Sequence, residues 1–216
     1  LAQAQAAVEA DPRLKHKYFS RHIRQTRRSA TGPQTRWEVQ LPWTDLTERV
    51  LKQLLQGSIG STFTAVAGTN AELWEFTALV AMPGAVPQQL HCDVGDELPA
   101  LFTAFVALQR VERTMGPTRF LPKTHRSDSA ARRKFSVDKS QFLNTATSKV
   151  ALLEAGDASV YDGRILHCGT GNASEWPRLL LVVTVRHPEG NVAPESRKTQ
   201  RALRGAATLG ELSEPR

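Results

Sequence analysis

Two hydrophobic periodicities divide the chain. Asp45 followed by Glu48 has capping-box spacing, and Leu46, Val50, Leu51, Leu54 and Leu55 then recur at helical intervals until Gly57. This stripe predicts one amphipathic helix. From residue 60 onward the apolar runs shorten, gain aromatic and branched residues, and are bounded by Gly, Pro, Asn or Asp. Segments 61–67, 73–82, 101–111, 149–153, 158–161 and 178–186 are predicted as strands. Helix first and strands afterwards argue against alternating βαβ units. The expected fold is mainly β, a jelly roll with helices packed outside it.

The flanking segments carry a different pattern. Residues 1–28 are rich in Ala, Gln, Arg and Lys and predict a helix with a basic continuation. A Gly-Pro linker follows within 29–34. Residues 35–190 form the expected β domain, and 191–216 a polar tail. Segment 124–148 lacks clear periodicity and carries much of the charge, so it predicts a long, partly helical insertion of the kind that serves as a lid or binding loop.

Composition changes this picture little. At 216 residues the chain fits one domain, and no apolar run approaches the ~20 residues needed to span a bilayer. The net charge of +7 comes from scattered basic clusters without aromatic interleaving, so no nucleic-acid partner is expected. Two cysteines are too few for a disulfide scaffold, which makes a reducing compartment such as the cytoplasm the default. The first residue is Leu rather than Met, which leaves open an upstream targeting segment. Oligomeric state has no signature here.

The chemistry concentrates in two places. In the segment QQLHCD, residues 88–93, His91 and Asp93 would share one face of a strand while Cys92 points away. An imidazole and a carboxylate projecting together suit a divalent metal, although such pairs also occur as plain surface hydrogen bonds. Downstream, His167 follows a Gly-Asp turn, a short strand and a second turn. Eleven residues further on, Arg178 opens an otherwise apolar run. A buried Arg is costly unless an anion pairs with it, and its planar guanidinium suits a carboxylate. The anion could be a ligand, or a side chain such as Asp157 or Glu175. Cys92 and Cys168 adjoin the two histidines, so a His/Cys zinc site is an alternative, but strand alternation turns neighbours to opposite faces.

Together these residues resemble the phytanoyl-CoA dioxygenase family of iron(II)- and 2-oxoglutarate-dependent oxygenases, over residues 74–187. His91-Cys-Asp93 is similar to the family's H-x-D pair, His167 to its distal His, and Arg178 to the arginine that grips 2-oxoglutarate. Segment 162–172 (DGRILHCGTGN) also matches. So does segment 115–125 (MGPTRFLPKTH), where Lys123 and Thr124 replace the usual Gly and Ser. The resemblance implies a double-stranded β-helix with His91, Asp93 and His167 as both metal ligands and catalytic centre. It implies Fe(2+), 2-oxoglutarate and O2 as cofactor and cosubstrates, with ascorbate supportive. The implied reaction hydroxylates an unactivated C–H bond of a small organic or lipid-like molecule, releasing succinate and CO2. Related halogenases lack the carboxylate, so Asp93 implies hydroxylation or another oxidation rather than halogenation. Gln89, on the strand parity of His91, and Thr118 are the further expected 2-oxoglutarate contacts. A non-catalytic jelly-roll binding protein, or a cupin-type metal enzyme not using 2-oxoglutarate, is the alternative. Coenzyme A dependence does not follow from the family name.

Overall fold

The computed structural model describes residues 19–21, 35–94, 101–126, 129–138, 146–191 and 207–214. Six antiparallel strands make the major sheet: Phe19–Arg21 (β1), Arg36–Gln40 (β2), Glu72–Ala81 (β3), Leu101–Ala107 (β4), Ala158–Asp162 (β7) and Arg178–Arg186 (β9). Their order is β1-β2-β3-β9-β4-β7. A minor sheet, in the order β6-β5-β8, is formed by Thr118–Phe120 (β5), Lys149–Val150 (β6) and His167–Gly169 (β8). The architecture is the expected jelly roll, mainly β with few helices.

Strand alternation gives the major sheet two unlike faces. Outward, Phe76, Leu181, Val183 and Val185 join Leu51, Leu55 and Phe63 in the largest apolar core. These last residues come from helices Asp45–Gln56 (α1) and Ser58–Ala67 (α2). Inward, the same strands supply Phe105, Tyr161, Leu180 and Val182 to a smaller core inside the roll. The inner face of β9 therefore carries Arg178, Leu180, Val182, Thr184 and Arg186, an apolar middle between polar ends.

Several local expectations are corrected. The cap of α1 is Thr44, whose side chain accepts from the Thr47 amide while Thr47 reaches back, so the box is Thr44–Thr47 and not Asp45–Glu48. Segment 61–67 is helical, not a strand. Ile59, Phe63 and Ala67 recur every fourth residue and are buried, and that stripe outweighs the branched composition. Gly57 ends α1 and begins α2, and a Cβ at Gly60 would lie 1.6 Å from the Leu55 carbonyl oxygen, so only Gly allows this junction. Within 1–28, residues Phe19–Arg21 pair with β2 rather than continue a helix. The rest of 1–34 lies outside the described residues.

Residues 207–214 are not a polar tail. Thr208 caps the short helix Leu209–Ser213 (α4), and Ala207, Leu209 and Leu212 are buried in the main core. The 124–148 segment contains helix Ala130–Val137 (α3), capped by Ser129; residues 127–128 and 139–145 lie outside the described ones.

Candidate active site

The segment that carries His91 and Asp93 is not a regular strand. His91 forms a single bridge with His167, each amide donating to the other's carbonyl at 3.0 and 2.8 Å. The Asp93 amide donates to the Gly163 carbonyl at 2.8 Å. These bonds join a loop on one side to β8 and the 162–163 turn on the other. They set the two imidazole rings 4.6 Å apart, centroid to centroid.

The ring orientations match metal ligation. His91 Nδ1 lies 2.7 Å from the Gln89 carbonyl and His167 Nδ1 lies 3.0 Å from the Ile165 carbonyl. Each Nδ1 is thus placed to donate to a backbone carbonyl, which leaves Nε2 as the ring nitrogen turned towards Asp93. The two Nε2 atoms stand 3.9 and 3.6 Å from Asp93 Oδ1. The other carboxylate oxygen, Oδ2, accepts from the Tyr161 hydroxyl at 3.1 Å. One potential ligand atom from each of His91, Asp93 and His167 falls within 4.8 Å of the others, and this is the only such group among the described residues. Two imidazoles and one carboxylate are the donor set of a non-haem iron(II) site, with one face left open. The cysteines stay out of it. Cys92 faces Arg132, whose Nη2 is 3.6 Å from its Sγ, and neither cysteine belongs to the cluster, so the His/Cys zinc alternative is not supported.

Tyr161 is buried against Phe105, Phe120 and His167. Burial, followed by the Asp93 and Glu75 charges, pushes its phenol well above the usual value, so it remains a hydrogen-bond donor.

A cavity of about 380 Å³ opens beside the triad. Arg178 lines it, only 3 % exposed, with Nη1 donating to the Gly116 carbonyl and Nε unsatisfied. No ion pair holds Arg178 among the described residues: Asp157 instead accepts from the Glu154 amide, and Glu175 is exposed. Burial, and then the neighbouring Arg36 charge, lowers its pKa to about 9. Arg186, on the same face of β9, is taken by Glu72 at 3.0 Å and by the Gly190 carbonyl.

Arg36 was missed from the sequence. It sits on β2, 4 % exposed, lines the same cavity and donates to the Val86 and Thr170 carbonyls. Burial lowers its pKa to about 10, with Cys168 acting the other way. Two buried guanidinium groups in one cavity make a strong preference for an anion.

Thr118 lines this part of the cavity and is buried. Gln89 does not; it is exposed, and Gln88 takes the position instead. The parity behind Gln89 fails because 88–90 is not a strand. Gln88 Oε1 accepts from the Gly169 amide at 2.8 Å, which leaves its amide N–H groups as donors. Gly169 is open for this reason: a Cβ there would meet Gln88 Oε1 at 2.7 Å and Arg36 Nη1 at 2.9 Å.

The 121–124 turn keeps the geometry that its substitutions put at risk. Lys123 adopts φ 66°, a left-handed conformation suited to Gly. Thr124 is buried, donates to the Leu121 carbonyl at 2.7 Å and accepts from the Leu166 amide at 2.8 Å, which fixes the approach to His167.

The fold and the triad together define a class, the double-stranded β-helix oxygenases with a two-histidine, one-carboxylate site. The chain belongs to the phytanoyl-CoA dioxygenase family, whose model matches residues 2–180. It is an iron(II)- and 2-oxoglutarate-dependent non-haem oxygenase. Solved structures share the fold. The epimerase SnoN, in complex with Fe3+, alpha ketoglutarate and nogalamycin RO, aligns with TM-score 0.59 at 18% identity, over 91% of this chain and 84% of that one. The carbocyclase SnoK from nogalamycin biosynthesis aligns at 0.57 and 18%, over 86% and 75%. HygX from Streptomyces hygroscopicus, with nickel, 2-oxoglutarate and hygromycin B bound, aligns at 0.54 and 14%, over 85% and 79%.

Proposed function

We propose that the protein hydroxylates a C–H bond of a small organic substrate, with His91, Asp93 and His167 holding iron(II) and Arg178 gripping 2-oxoglutarate. One observation carries the assignment. Two Nε2 atoms and one carboxylate oxygen converge beside a buried guanidinium that has no acidic partner among the described residues. A metal alone would need no such cation; a dicarboxylate that also chelates the metal accounts for both.

Iron(II), when bound, would couple dioxygen to the oxidative decarboxylation of 2-oxoglutarate to succinate and CO2. The protein's own residues do the positioning. Backbone carbonyls at Gln89 and Ile165 fix both imidazole tautomers, and Tyr161 holds Asp93 so that a single oxygen faces the histidines. Arg178 forms the charge-assisted clamp for the distal carboxylate, with Arg36 adding a second positive charge, and Gln88 and Thr118 donating from the walls. The presence of Asp93 favours hydroxylation over halogenation. The small molecules held by the SnoN and HygX structures support a small organic substrate here.

The test is succinate formation by the purified chain with iron(II), ascorbate and 2-oxoglutarate, before and after chelation. Slow uncoupled turnover is expected in the wild type, none after chelation, and none in His91→Ala or Asp93→Ala. Turnover unaffected by either substitution would overturn the ligand assignment.

A further inference from the structure

The carbonyls that hold the two buried guanidinium groups come from three separate segments. Arg36 donates to Val86 and Thr170, and Arg178 donates to Gly116. A planar guanidinium is aimed only as well as its acceptors are placed, so these segments need a common anchor. Asn172 supplies it. This residue lies five positions beyond His167 and two beyond Thr170, in the connection from β8 to β9. Its amide donates at 2.8 Å to the Ala85 carbonyl, next to Val86, and its carbonyl accepts from the Gly84 amide at 2.8 Å. It also forms an isolated bridge with Met115, next to Gly116. Gly116 packs directly against it: a Cβ there would lie 3.1 Å from the Asn172 nitrogen and 2.8 Å from the Thr170 carbonyl oxygen.

The side chain of Asn172 reaches a fourth point. Nδ2 donates at 2.8 Å to both the Ala81 and the Trp176 carbonyls. Ala81 is the cross-strand partner of Arg36 on β2 and of Arg178 on β9, so it stands between the two arginines. Trp176 precedes Arg178 by two residues. Oδ1 accepts from the Ser174 amide at 3.0 Å and from its hydroxyl at 2.7 Å. Asn172 is 1 % exposed and is absent from the cavity lining, and its carboxamide donors and acceptor sites are all used. Nothing is left over for a ligand, so its part is positional.

We propose that Asn172 is the positioning residue of the cosubstrate clamp. It fixes Arg36 and Arg178 at one distance from the metal ligands, and so sets the length of dicarboxylate that the clamp accepts. The measuring length is built into the chain, because Asn172 follows His167 directly through β8. Without the carboxamide, the Ala81 and Trp176 carbonyls lose their donor, and the two arginines shift relative to the ligands. A 2-oxo acid that lacks a distal carboxylate makes no use of the clamp, so its affinity is independent of that shift. This inference rests on the oxygenase reading and concerns the choice of its cosubstrate.

The experiment titrates the full chain, loaded with iron(II) under argon, with 2-oxoglutarate, 2-oxoadipate and 2-oxobutyrate, followed by calorimetry. Wild type is expected to prefer 2-oxoglutarate over 2-oxoadipate, one methylene longer, by at least about tenfold. In Asn172→Ala, 2-oxoglutarate should weaken about tenfold and that preference should shrink. Binding of 2-oxobutyrate, which has no distal carboxylate, should stay as in wild type, and this also shows that the variant folds. Ser174→Ala removes one hydrogen bond to Oδ1 and should weaken 2-oxoglutarate by roughly threefold, again without moving 2-oxobutyrate. It carries the test if Asn172→Ala does not fold. Equal losses for 2-oxoglutarate and 2-oxobutyrate would mark a general loss of structure and overturn the assignment. Unchanged 2-oxoglutarate affinity, or a wild type that does not distinguish it from 2-oxoadipate, would overturn it too. Failure of wild type to bind iron(II) or 2-oxoglutarate would defeat the oxygenase reading instead, and the two failures are separable.

Discussion

At one end of the cavity two guanidinium groups are buried against backbone carbonyls; at the other a carboxylate is braced by threonine hydroxyls. Both ends lie on the inner face of the same sheet, and β9 contributes to each. They differ in how firmly they are built. The arginine end is nearly sealed, with Arg36 and Arg178 at 4 % and 3 % exposure, whereas Glu75 is half-buried. A sealed cationic pocket fits a ligand that is the same in every turnover. A more open end fits a molecule that must be chosen and released. The triad sits between, tied to the open end through Tyr161 and to the closed end through β8.

The largest effect should come from removing a proposed ligand placed between the two ends. His167→Ala is expected to lower metal affinity by well over 100-fold, since loss of an outer-sphere partner alone typically costs 10–100-fold; metal titration by calorimetry measures it. Next, Arg178→Ala should weaken 2-oxoglutarate by roughly 100-fold while metal affinity holds, with Arg178→Lys recovering part of the loss. In the metal-free wild type, 2-oxoglutarate should raise the melting temperature because it neutralises two buried cations. Acetate should do so far less. Equal stabilisation of wild type and Arg178→Ala would show that the closed end is not the cosubstrate pocket.

Tyr161→Phe separates the ends in the other sense. It frees Asp93 Oδ2 and should cost metal affinity about tenfold, leaving 2-oxoglutarate affinity of the metal-free protein unchanged. Gly169→Ala should do the reverse. Its methyl group displaces Gln88 and Arg36, and a several-fold loss of 2-oxoglutarate affinity with intact metal binding is expected. The smallest effect lies outside the cavity. Lys123→Gly relieves a left-handed backbone and should raise stability by about 1 kcal/mol in denaturant unfolding, with activity unaltered.

The convergence of His91, Asp93 and His167 and the burial of Arg178 on the cavity wall are legible because these residues are local in sequence or spaced like a family motif. Strand β9 was legible to the residue, since a long branched run bounded by Pro177 and His187 has few other readings. Arg36 was not legible. It occupies an ordinary alternating segment, RWEVQ, and only the pairing of β2 beside β3 carries it into the cavity. Parity with His91 points to Gln89 rather than Gln88 only if the segment is a strand. The actual segment bends around one isolated bridge, and parity has no meaning there. Segment 61–67, most of helix α2, carries a strand-like pattern because Thr, Val and Phe dominate it locally. Its packing against α1 through Gly60 is a tertiary effect that composition does not encode. The same holds for Leu209 and Leu212, two apolar residues in a polar stretch that nevertheless complete the core.

The most direct test is an anaerobic titration of the iron(II)-loaded protein with 2-oxoglutarate, followed by the visible charge-transfer absorbance of the chelate. The account predicts a saturating band at one equivalent in wild type, a midpoint shifted roughly 100-fold in Arg178→Ala, and no band in His91→Ala. A band that persists in His91→Ala, or an unshifted midpoint in Arg178→Ala, would contradict it.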